Sequence, residues 1–178
     1  MNKLLSIIAI LMLLGCTSSD IRKNHNTEKS LNNLNAILYS AEDFFISIKR
    51  SNFDTSWDLL SEKSKNKIID EIYDVSRDNG AEIEKDDIRR SFRQNGLIAR
   101  NFWNAARSKF DPDMVLEDSH WEIGFIKSNK AEITITYRKS PRPSKLKMYK
   151  ENGSWRVGLV ETFWSRKYLD TFFSFLRM

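Results

Sequence analysis

The chain has 178 residues, a formal net charge of +5 and a single cysteine. That length suits one ordinary domain with enough aromatic and aliphatic side chains to bury a core without covalent staples. One cysteine excludes an intrachain disulfide and a multi-thiolate zinc site, and Lys and Arg are scattered rather than clustered, which argues against a nucleic-acid face.

Residues 1–15 have the layout of a secretory leader: Lys3 is the basic start, Leu4 to Leu14 is apolar apart from Ser6, and the small Gly15 precedes Cys16. The apolar run, roughly 11 residues, is too short to cross a ~30 Å hydrocarbon core as a helix. Leu13-Leu14-Gly15-Cys16 resembles the lipobox of bacterial lipoproteins. The resemblance implies cleavage before Cys16, diacylglycerol on its sulfur and a further acyl chain on the new amine. Two or more chains hold a protein stably at a membrane, where one binds only marginally. It implies an extracytoplasmic site, on the periplasmic side, and Thr17 after the cysteine favours the outer membrane over the inner if the host is Gram-negative. The expected partners are then the membrane and an envelope protein, with nucleic acid excluded by location. With Cys16 lipidated, no cysteine nucleophile or thiolate ligand is left.

Residues 16–30 are polar and read as a flexible tether, with a reach of about 20 Å as a coil. Leu31, Leu34, Ile37, Leu38, Ala41, Phe44, Phe45 and Ile48 follow the helical period and predict a helix from about Glu28 to Arg50. Asp54 is the expected cap of a short segment holding Trp57, Leu59 and Leu60. Ser61 or Ser64 is the expected cap of the next, with Ile68, Ile69, Ile72 and Val75 inward and Asn79-Gly80 as its stop. Asp86 or Asp87 opens another helix through Ile88 and Phe92, which Asn95-Gly96 bends or splits before Leu97, Ile98, Phe102, Trp103 and Ala106. Asp111-Pro112-Asp113 is expected to end the helical half.

The apolar period then changes from near 3.6 to 2. Val115, Trp121, Ile123 and Phe125 alternate with Asp118, His120, Glu122 and Gly124. Ala131, Ile133, Ile135 and Tyr137 do the same after a turn at residues 127–130. Leu146 and Met148 form a third strand, and Asn152-Gly153 is a hairpin signal before Trp155, Val157 and Leu159. Strands with one apolar face, following helices, predict an α+β fold: N-terminal helices packed on a curved antiparallel sheet of four or more strands. A C-terminal amphipathic helix over 161–178 completes it.

Three stretches carry a second resemblance: Ala41-Glu42-Asp43-Phe44-Phe45, Ser56-Trp57-Asp58-Leu59-Leu60-Ser61, and the hairpin from Lys147 to Val157. Residues 31–160 resemble the nuclear transport factor two-like superfamily, and within it lipoprotein domains of unknown function. The resemblance implies a helix-lined cone closed by the sheet, with an interior pocket. The superfamily includes enzymes, binding proteins and scaffolds, so fold alone does not assign a role. The charged stretch from Ser76 to Arg90 and the extension from Thr162 to Met178 depart from its pattern.

Strand parity puts Glu117, Ser119 and Tyr137 on the inward side, where a buried carboxylate beside hydroxyls suits general-base chemistry. Trp57, Trp103 and Trp121 are the candidate pocket lining. Asp118, His120 and Glu122 share the opposite, wet face; no other histidine exists outside the tether, so no metal site is expected and no cofactor is called for. In the tail, Phe163, Trp164, Tyr168, Phe172 and Phe173 form an aromatic stripe suited to capping the domain, lying on lipid or docking a partner. The expectation is a lipid-anchored envelope protein of binding or assembly type. The alternative is a small-molecule isomerase or hydrolase using the inward carboxylate.

Overall fold

The computed structural model describes residues 18–109, 111–140 and 142–163. Cys16, the leader, and Trp164, Tyr168, Phe172 and Phe173 lie outside the described residues. The chain divides into residues 1–35 and residues 36–178. Helix α1 is Ser18–Lys49. It starts at Ser18 rather than near Glu28, so most of the polar stretch expected as coil is helical. That stretch lacks Gly and Pro, and extending an existing helix costs far less than nucleating one.

From Ile37 onward α1 buries Ile37, Ala41, Phe44, Phe45 and Ile48 on one stripe. Helix α2, Phe53–Asp58, follows a turn in which Ser51 takes φ 57°. Its N-cap is Asn52 and not Asp54, which sits in the first turn and acts only through its charge. The buried hydroxyls of Ser47 and Ser56 meet at 2.7 Å and join α1 to α2. Helix α3, Glu62–Asp78, is capped by Ser61, whose Oγ accepts from the Ser64 N–H, and it stops at Gly80 with φ 74°. Helix α4, Lys85–Arg93, begins after Glu84, and Asn95 at φ 49° separates it from α5, Leu97–Lys109.

Asp111-Pro112-Asp113 opens a helix instead of ending the helical half. Asp111 caps α6, Pro112–Glu117, by accepting from the Asp113 and Met114 N–H groups, with Pro112 at the first helical position. Proline is well suited there, because its missing donor would have had no intrahelical acceptor. Val115 and Glu117 therefore belong to a helix and not to the first strand.

Strands β1 (Ser119–Lys127), β2 (Lys130–Tyr137), β3 (Ser144–Glu151) and β4 (Ser154–Val157) form an antiparallel sheet in the order β1-β2-β3-β4 that does not close. Its dry face presents Ala131, Ile133, Ile135, Leu146, Met148, Trp155 and Val157 to the helices. The alternation in β1 breaks at a β-bulge: Ile123 pairs with Ile133, but Phe125 pairs with Glu132 and Ile126 with Ala131. Phe125 is thus carried to the wet face, against its parity in the sequence. Beyond β4, Leu159 is not a strand residue but the first of α7, Leu159–Phe163. Val157 also makes a parallel bridge to Leu60, donating to the Leu59 carbonyl at 2.8 Å and accepting from the Ser61 N–H at 2.9 Å. The helical and sheet halves are thereby joined through backbone as well as side chains.

Candidate functional site

Among the described residues, side chains from the helices and the dry face of the sheet pack together where a cone pocket was expected. Phe44, Phe92, Trp103, Ile133, Leu146 and Met148 are each at most 1% exposed. Trp57 stacks on Phe92 with ring centroids 4.0 Å apart, and Trp103 packs edge-on against Phe44 and Phe102. Such aromatic pairs strengthen a core beyond simple burial. Trp57 and Trp103 are core residues, 6% and 0% exposed. The Trp103 indole nitrogen is buried without a hydrogen-bond partner. Trp121 is half-buried against Phe45 at 5.8 Å.

The three inward candidates meet one another only in part. Ser119 and Tyr137 are cross-strand partners at the start of β1. The Ser119 hydroxyl donates to the Val115 carbonyl and accepts from the Trp121 indole N–H at 2.7 Å, so it ties α6 to β1. Tyr137 is half-buried; burial, reinforced by the charge of Asp111, holds its phenol above the ordinary value of 10.0. Glu117 does not join them. Its side chain is 65% exposed, and Oε1 accepts from Lys49 Nζ at 2.6 Å. Lys49 also reaches Asp113 at 2.6 Å. These hydrogen bonds, to Asp113 first and Glu117 second, raise the Lys49 ammonium above its ordinary pKa. The inward carboxylate expected from strand parity is therefore a surface clasp between the ends of α1 and α6, because the residue sits on a helix that the parity argument took for strand.

On the wet face, His120 and Glu122 are exposed and 3.2 Å apart, and Asp118 faces Arg138 at 3.9 Å. These are solvated pairs, as their parity predicted. Among the described residues, no group of three or more His, Cys, Asp or Glu is placed to hold a metal ion. An open groove of about 690 Å³ lies on the surface between α3 and α4 beside Tyr73. Its cations are matched by neighbouring acids: Lys85 with Asp70, Arg89 with Asp86 and Arg90 with Asp87.

One polar cluster had no signal in the sequence beyond the cap at Ser61. Glu161 on α7 accepts from Ser64 Oγ at 2.6 Å and from Ser61 Oγ at 3.1 Å, and both serines are fully buried. Ser64 Oγ in turn accepts from the Val160 N–H at 3.0 Å. Glu151 contributes a second carboxylate nearby, accepting from the Glu62 N–H at 3.0 Å. Two acids thus sit at the positive end of α3, where the helix dipole favours them. The cluster bonds α7 to α3, while Lys147 on β3 donates its N–H to Thr162 Oγ1 at 2.9 Å and holds the other side. Phe163, from the expected aromatic stripe, is partly buried and packs against the core. Among the described residues no helix is long and apolar enough to cross a membrane.

No family model matches this chain, and no curated protein or solved structure is significantly similar to it.

Proposed function

We propose that this protein is a lipid-anchored envelope protein whose domain binds or scaffolds rather than catalyses. The observation that carries the reading is Leu13-Leu14-Gly15-Cys16 at the end of a basic-then-apolar leader. Acyl chains on Cys16 hold the domain at a membrane outside the cytoplasm, on the periplasmic side and at the outer membrane rather than the inner in a Gram-negative cell.

The placement of the polar candidates supports a non-catalytic role for them. Glu117 is a solvated ion-pair partner, the Ser119 hydroxyl is used by Val115 and Trp121, and the buried serines are used by Glu161. The α+β order, with helices on the dry face of an antiparallel sheet, is compatible with a nuclear transport factor two-like domain. We read the domain as a member of that superfamily in which side chains fill the cone, leaving its surface as the working part.

Metabolic labelling with a palmitate analogue tests the anchor. The wild-type chain takes up label and sediments with the envelope. Cys16→Ser loses both the label and the processing. A Cys16→Ser chain that is still labelled and cleaved would contradict the proposal.

A further inference from the structure

The β1–β2 hairpin ends in an apolar tip beside unpaired cations. The bulge between Ile123 and Phe125 sends Phe125 to the wet face and Ile126 to the side of Ala131. Both remain in solvent, at 48% and 38% exposure. Lys127 and Lys130 face each other across the turn, and both are exposed. The Lys150 N–H donates to the Asn129 carbonyl at 2.8 Å, which brings a third lysine to the same end of the sheet. Among the described residues Lys127 and Lys130 have no ion-pair partner, whereas the Lys150 ammonium lies over the Trp155 ring, 5.8 Å from its centroid, on the dry face of the sheet. The nearest acid on the paired strand, Glu132, is bonded to Lys145 at 2.9 Å, and its side chain is only 12% exposed. It does not neutralise the tip.

We propose that this hairpin tip docks on an anionic lipid surface, with Phe125 and Ile126 entering the headgroup boundary and Lys127 and Lys130 contacting phosphate. The proposal rests on the reading of the protein as membrane-anchored. Charge complementarity selects the occupant: two lysines with no acid paired to them meet a surface of fixed negative charge, each strengthening binding about fivefold. Size argues the same way. Two exposed apolar side chains fall far short of the ~800 Å² per partner that a standard protein interface buries. Such a contact is weak alone and becomes effective once an anchor confines the domain near the surface.

The test uses the membrane-extracted full protein, reconstituted into vesicles of phosphatidylcholine with or without phosphatidylglycerol. An environment-sensitive fluorophore is placed at Ile126→Cys, in parallel at Phe125→Cys, and at Lys139→Cys as a control in the turn that follows the far end of β2. Circular dichroism confirms that each variant is folded. On phosphatidylglycerol vesicles the label at either tip position shifts to the blue and is shielded from a water-soluble quencher. The label at residue 139 stays accessible, and Lys127→Gln with Lys130→Gln removes the shielding. Tip labels equally quenched on both vesicle types overturn the proposal. So does shielding that appears only when an envelope protein fraction is added. The wild-type chain separates this from the anchor: lipidated Cys16 takes no label. A wild-type chain that does take label defeats the anchor, and the tip is then read from Ile126→Cys in a Cys16→Ser background at higher lipid concentration.

Discussion

Ser64 on α3 and Glu161 on α7 are joined by a 2.6 Å hydrogen bond across 97 residues of sequence, and the serine is fully buried. Its hydroxyl oxygen also accepts from the Val160 backbone, so one small side chain serves two groups of α7. Ser64→Ala strands both and costs about 1–3 kcal/mol by urea denaturation. A double-mutant cycle of Ser64→Ala with Glu161→Ala gives a coupling of about 0.5–3 kcal/mol. Strict additivity would mean that α7 is held by something other than this carboxylate.

Gly158 follows β4 where no side chain fits. A Cβ there would lie 2.6 Å from the Tyr149 ring and 3.1 Å from the Lys147 carbonyl oxygen. Gly158→Ala is expected to destabilise the domain by about 1–3 kcal/mol, the usual cost of overpacking. Adding Tyr149→Ala should recover part of the loss introduced by the alanine, measured against Tyr149→Ala alone. No recovery would place the strain in the backbone instead.

Tyr137 and Tyr149 both have phenols raised above 10.0, each chiefly by burial, with Asp111 and Glu161 adding to the effect respectively. The folded state holds their protons more tightly than the unfolded chain does. Their contribution to stability is therefore fully present below 10.0 and is lost as pH rises through the higher folded values. Alkaline titration followed by tyrosinate absorbance should show two late-ionising groups. Tyr137→Phe and Tyr149→Phe should each remove one and flatten the alkaline loss of stability.

Trp103 is completely buried among Phe44, Phe53 and Phe102. Trp103→Ala should cost about 3–5 kcal/mol, as large aromatic truncations in cores do. Trp103→Phe should cost less, because it also removes an indole N–H that has no acceptor. A Trp103→Ala chain as stable as wild type would show that the site is an open pocket after all.

Legibility in the sequence followed the regularity of each pattern. The stripe from Ile37 to Ile48, the stop at Asn79-Gly80 and the alternation of β2 and β3 all read directly, because each is a local signal with one physical meaning, and of the two serines offered as the cap of α3 the structure uses Ser61. The stretch from Val115 to Phe125 misled at both ends. Val115 and Glu117 fit a strand period over too few residues to distinguish it from one turn of helix, and Asp111-Pro112 starts helices as readily as it ends them. Phe125 kept its odd parity in the sequence while a bulge moved it to the other face. The consecutive apolar pair Phe125-Ile126 beside Gly124 was the available warning, since strict alternation does not allow it. The α7 cluster was unreadable for a different reason. Glu161 meets Ser61 and Ser64 only through the fold, and a carboxylate in a five-residue helix has no periodicity to announce it.

The proposed anchor is a set of acyl chains on Cys16 that hold this domain at a membrane. Mass spectrometry of the N-terminal peptide of the membrane-extracted protein tests it most directly. The expected peptide begins at Cys16 and carries the mass of diacylglycerol, with or without an amide-linked chain. A peptide that begins at Met1, or an unmodified Cys16 thiol, would contradict it.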